Sequence, residues 1–104
     1  MDEALRAIAN PTRRAILRLV WSEERPASAI ADAMSLTRPA TSQHLRALRT
    51  ADLVTVRVEA NRRLYRVRHD ALADLKGFLD DFWTGGLARL KEAAEERSRE
   101  LDRT

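Results

Sequence analysis

The sequence contains no cysteine. That excludes disulfides, thiolate metal sites and a cysteine nucleophile, and a small fold without such staples suits a reducing compartment. Long apolar runs are also missing: the longest is three residues, as in Ala15-Ile16-Leu17 and Leu19-Val20-Trp21. A spanning helix needs about 20 apolar residues and a signal peptide about 7–15. The chain is therefore expected to be soluble, cytoplasmic and without membrane contact. Three glycines form no phosphate-binding loop. Histidine occurs twice, as His44 and His69, too few for a closed zinc site without cysteine. Neither a cofactor nor a metal is expected.

The 104 residues are one domain's worth, 44% hydrophobic and 34% charged, enough for a core under a charged surface. The net charge of +3 is unevenly spread. Residues 1–36 are neutral, residues 37–69 carry eight arginines against two acids, and residues 70–104 are net −3. A basic block between neutral and acidic flanks points to a polyanion met by the middle of the chain. With 17 Arg, 2 Lys and 17 Ala the coding is G+C-rich, so the position of the basic residues, not their type, carries this argument.

Periodicity predicts a first helix over 2–9, capped by Asp2 and burying Leu5, Ile8 and Ala9. Asn10 caps a second helix that opens on Pro11 and turns Ile16, Leu17, Val20 and Trp21 inward. After a turn over 22–26, a helix over 27–34 buries Ala29, Ile30 and Ala33. Ser35-Leu36 turns the chain into a helix capped by Thr37 or Arg38, with Ala40, Leu45 and Leu48 inward. Val54, Val56 and Val58 alternate with Thr55, Arg57 and Glu59, and Tyr65 and Val67 with Leu64, Arg66 and Arg68. This is a β-hairpin turning at Ala60-Asn61, where Asn tolerates a left-handed backbone. Residues 70–102 are helical. Gly85-Gly86 invites a kink, but the apolar stripe keeps phase across it, which favours one continuous helix.

A short helix, a tight turn, a capped helix and a basic hairpin make a winged helix-turn-helix, mainly α with a small β-hairpin. The segments are the helix-turn-helix at 27–51, the wing at 53–68 and terminal helices at 2–9 and 70–102, in one domain over 1–104. The capped helix offers Thr37, Arg38, Ala40, Thr41, Ser42, Gln43, His44 and Arg46 to base edges: Arg pairs with guanine, Gln with adenine, and small methyls meet thymine. Arg57, Asn61, Arg62 and Arg63 on the hairpin would meet phosphates or the minor groove.

The residues Ala9-Asn10-Pro11-Thr12-Arg13-Arg14-Ala15-Ile16-Leu17 resemble the second-helix opening of the ArsR/SmtB family of bacterial repressors. Arg38 to Leu48 is similar to that family's recognition helix, and Leu53-Val54 with Asn61 to Tyr65 to its wing. The resemblance covers about residues 3–83. It implies four helices, two wing strands and a last helix, a homodimer built by the first and last helices, and repression of a nearby promoter. Ser35 and Ala60 depart from it, standing where glycine is common. The family's third-helix cysteine box would fall near Ala27 to Asp32, which holds no cysteine, and no histidine follows His69. The chain thus resembles the metal-independent, autorepressor-like branch, which shares Phe82-Trp83.

A dimer seam over Leu5, Ile8, Leu75, Leu79, Phe82, Trp83, Leu87 and Leu90 is expected, because 35 residues of helix exceed what one small core covers. The DNA partner is then an imperfect inverted repeat, with the protein on the bacterial nucleoid when bound; no residue pattern identifies an inducer. Catalysis is not expected. Ser42 and His44 are two apart on a helix and point different ways, and Asp80-Asp81 do not share a pocket. A non-specific architectural DNA binder and a protein-interaction module using the acidic last helix are the competing readings.

Overall fold

The Asn10 side chain accepts hydrogen bonds from the backbone N–H groups of Thr12 (2.9 Å) and Arg13 (3.2 Å). With Pro11 in the first turn, this cap starts helix α2 (Pro11–Leu19) after the short α1 (Asp2–Ile8). In this computed structural model, which describes residues 1–103, the order continues with β1 (Arg25–Pro26), α3 (Ala27–Met34), α4 (Arg38–Thr50), β2 (Val54–Glu59), β3 (Arg62–Val67) and α5 (His69–Asp102). The chain divides into two compact units, Met1–Ala73 and the segment from Asp74 onward.

In the first unit the core is a cluster of Ala7, Ile16, Leu17, Val20, Ile30, Leu45, Leu48, Leu53, Val54, Tyr65 and Val67. Each fully buried Ile or Leu contributes about 1.5–3 kcal/mol over an exposed one. Leu5 and Ile8 are only half-buried, Ala9 is exposed, and Ala7 is the α1 residue that is buried. Met1 rather than Asp2 is the α1 N-cap, without a side-chain bond.

Three further expectations shift for physical reasons. Trp21 lies outside the core, 46% exposed, because α2 ends at Leu19 and the chain has left helical phase. Its ring instead meets His69 edge-on, with centroids 5.0 Å apart. In α3 the inward face is Ala27, Ile30, Ala31 and Met34, at i, i+3, i+4 and i+7, so Ala33 is exposed. Finally, the expected hairpin of β2 and β3 forms, but it gains a third strand. Arg25-Pro26, expected to be turn, pairs with Tyr65 and Leu64, giving an antiparallel sheet of order β1-β3-β2. With β3 in the middle, Leu64, Tyr65 and Val67 are all buried, whereas Val58 near the tip is 68% exposed.

Two turns share one closing device. Ser35 (φ 54°) and Asp52 (φ 64°) take left-handed conformations after α3 and α4. The following Leu36 and Leu53 N–H groups then reach back to the carbonyls of Ala31 and Leu48, both at 3.0 Å. The wing is tied to the helices by Val67 N–H to the Val20 carbonyl (3.0 Å) and Arg68 N–H to the Leu53 carbonyl (2.8 Å).

Helix α5 is continuous through Gly85-Gly86. In the second unit Leu75, expected in the dimer seam, is buried. Phe78, Leu79, Phe82, Trp83, Leu87 and Leu90 are exposed. Lys76 Nζ donates to Asp80 Oδ2 at 2.7 Å, a pair at i,i+4 that supports the helix, and Asp80 holds the ammonium above its ordinary range. No helix among the described residues is long and apolar enough to cross a membrane.

Candidate nucleic-acid interface

Helix α4 begins where Thr37 Oγ1 accepts the Ala40 N–H at 3.2 Å, with Pro39 in the first turn. The cap commits that hydroxyl to the backbone. Leu45 and Leu48 anchor the helix in the core, which leaves Arg38, Ser42, Gln43, Arg46, Arg49 and Thr50 exposed and Ala40 half-buried. Thr41, expected among the base-reading residues, is 1% exposed and donates its hydroxyl to the Thr37 carbonyl at 2.9 Å. It lies one step from the Leu45 and Leu48 face, so it packs rather than reads. His44 is half-buried as well, its Nδ1 accepting from Arg13 Nε of α2 at 3.3 Å. Both residues face the protein because the helix's outward arc is centred on Arg46, with Ser42 and Gln43 at i−4 and i−3 and Arg49 and Thr50 at i+3 and i+4.

Register distributes the wing side chains. Glu59 pairs with Arg62 and Val58 with Arg63, so the two neighbouring arginines leave opposite faces of the sheet. Arg63 shares its face with Tyr65. Together with Ser42, Leu45, Arg46 and Arg49 of α4 these two line a groove of about 220 Å³. A second groove of about 290 Å³ is lined by Arg38, Asn61, Arg62 and Arg63 with Pro26, Ala27 and Ser28. The fold therefore brings the start of α4, the start of α3 and the wing tip to one surface. Arg38, Arg46, Arg49, Arg62 and Arg63 make no ion pair among the described residues.

Arg57, expected among the phosphate-contacting residues, stands in an ion-pair network. Its Nε donates to both carboxylate oxygens of Glu24 at 3.2 Å, and its Nη2 donates to Glu24 Oε1 and, at 3.0 Å, to Glu59 Oε2. The hydrogen bonds from Arg57 hold the Glu24 carboxyl below its ordinary value of 4.5, while Glu24 and then Glu59 hold the guanidinium above its own. Arg68 is likewise occupied: it pairs with Asp52 and, at 2.9 Å, with Asp70, and both bonds raise it. Arg57 and Arg68 are thus engaged by carboxylates, whereas the five arginines of α4 and the wing tip are not.

Two members of this surface were not among the expected DNA contacts. Arg49 is one turn beyond Arg46 on the same helical face, a signal that spacing carried. Ser28 has no such signal, since its place depends on the pairing of β1.

Comparison with known proteins matches the same elements. Residues 8–57 match the family described as a helix-turn-helix domain. The chain is 41% identical over 86 residues to the HTH-type transcriptional regulator Rv2034 of Mycobacterium tuberculosis, covering 83% of this chain and 80% of that protein. It is 38% identical to the nodulation protein NolR of Rhizobium meliloti, over 76% of this chain and 65% of that one. Among solved structures, a possible transcriptional regulator for arsenical resistance superposes with a TM-score of 0.72 at 40% identity, covering 78% of this chain and 84% of that one. The homodimeric winged helix-turn-helix domain of Mb0332 from Mycobacterium bovis, a possible ArsR-family regulator, does so with 0.66 at 34%, covering 77% of each. Family and fold are those of transcriptional regulators, not enzymes. With its capped α4, its three-stranded wing and these relatives, the chain belongs to the ArsR/SmtB family of winged helix-turn-helix DNA-binding transcriptional regulators.

Proposed function

We propose that the protein is a homodimeric, metal-independent repressor of its own or an adjacent operon, acting in the bacterial cytoplasm on an imperfect inverted repeat. The observation that carries the DNA surface is the set of five arginines on α4 and the wing tip that line one surface and make no ion pair among the described residues. Unpaired arginines on one face supply the counterion-releasing phosphate contacts that position a protein on a duplex. Arg38, Ala40, Ser42, Gln43 and Arg46 then read base edges in the major groove, and Arg49, Asn61, Arg62 and Arg63 hold the backbone.

The dimer reading rests on α5, whose Phe82, Trp83 and Leu90 are each more than 60% exposed. Apolar residues repeated along a helix in this way mark an association surface. Repression without metal rests on the donor set: no cysteine and two histidines. A footprint on the DNA flanking the protein's own gene tests the proposal. Two protected half-sites one helical turn apart, unchanged by zinc or arsenite, are expected. Uniform protection without half-sites would instead favour a non-specific architectural binder.

A further inference from the structure

We infer that Glu24 keeps Arg57 off the DNA backbone and so limits the number of phosphate contacts the wing makes. Arg57 sits on β2, the wing strand that leads to the basic tip, and its side chain shares a face with Glu59 and, across the ladder, with Arg62. An isolated arginine there would be a sixth cation of the interface. Glu24, from the segment just before β1, takes it out of use. Both carboxylate oxygens receive Arg57 Nε, and Nη2 is divided between Glu24 and Glu59.

The consequence follows from how the two modes of DNA binding are built. Non-specific affinity is almost entirely phosphate contact, each contact adding about 0.9 to the salt slope, whereas base reading by α4 adds nothing to it. Cancelling one cation on the wing lowers affinity for every sequence and flattens the salt slope, while leaving base reading by α4 unchanged. Glu23 next door makes no ion pair among the described residues, so it changes the net charge without holding a cation.

This inference rests on the wing being a DNA-contacting element, and the test separates the two. The full-length protein and its variants are titrated with a random-sequence 20-base-pair duplex over 50–200 mM salt. Glu24→Gln should bind about three- to fivefold more tightly, with a slope steeper by up to about 0.9. Arg57→Gln should keep the parent slope, Glu24→Gln/Arg57→Gln should return to it, and Glu23→Gln should stay on it. A slope flattened by about 0.9 in Arg57→Gln would show that arginine already on DNA and overturn the inference. So would equal effects of Glu24→Gln and Glu23→Gln. If Arg62→Ala/Arg63→Ala also leaves the parent's slope unchanged, the wing reading itself falls and the inference with it.

Discussion

Arg13 and His44, 31 residues apart in sequence, join two helices: Arg13 Nε at the opening of α2 donates to His44 Nδ1 in the recognition helix at 3.3 Å. The bond helps set how α4 sits on α2. Removing either partner of one such half-buried bond should destabilise the fold by about 0.5–1.5 kcal/mol. In a double-mutant cycle Arg13→Ala and His44→Ala should then couple rather than add. Urea denaturation of the four proteins measures it, and strict additivity would dissolve the pairing.

Ser35 and Ala60 both take φ of 54°, a conformation that costs an ordinary L residue about 1–2 kcal/mol. Replacing either with glycine should raise stability by about 0.5–1 kcal/mol, the relief being offset in part by glycine's extra freedom in the unfolded chain. Asp52→Gly should gain less, because aspartate tolerates the left-handed region. Denaturation midpoints rank the three.

For the DNA surface, Arg62→Ala/Arg63→Ala should flatten the salt slope by about 2 units and weaken all sequences alike. Gln43→Ala should leave the slope unchanged and relax the preference at one or two base pairs, worth about 1–3 kcal/mol. A panel of single-site operator variants titrated across salt separates them. A sequence-dependent loss in the double arginine variant would reassign the wing to base reading.

Substituting Leu87 and Leu90 with glutamate places two charges on the exposed stripe of α5. Sedimentation should then give monomers whose operator affinity collapses, since one module offers too little contact for tight specific binding. Non-specific binding should survive in part, because the basic segment is untouched. A fully dimeric Leu87→Glu/Leu90→Glu protein would move the seam to α1, around the half-buried Leu5 and Ile8.

Glu24 also predicts a pH effect. Its carboxyl titrates below its ordinary 4.5 because Arg57 bonds the ionised form. A depressed carboxylate contributes its stability above the unfolded value and loses it as pH falls through the folded one. The parent should therefore lose slightly more stability than Glu24→Gln as pH is lowered from 5 to 3, and the effect should fade at high salt because the pair is exposed. Parallel pH profiles for the two proteins would remove the pair from the stability account.

Much of this architecture was legible wherever one local rule decided the outcome. Asn10-Pro11 marked a helix start through capping chemistry alone, and the valines at 54 and 56 marked a strand through alternation. What escaped depended on partners far along the chain. Arg25-Pro26 reads as turn in any local window, and only β3, some 40 residues on, makes it a strand. Leu64 reads as outward-facing until β3 acquires neighbours on both sides. Thr41 looks polar and available, yet the phase of Leu45 and Leu48 carries it inward. Arg57 counted as one more cation because its position on the wing is visible in sequence, while Glu24, 33 residues earlier, is brought beside it only by the sheet.

The order β1-β3-β2 leaves the sheet with two open edges, and the chain has blunted both. One edge is a strand of two residues, the second a proline that offers no N–H for a further strand to pair with. The other, β2, carries Arg57 and Glu59 near its tip, charges that discourage a neighbouring chain from docking along it. A wing must project from its domain to work, and projecting strands invite intermolecular pairing. Here the residues that shape the wing also make it a poor template for aggregation.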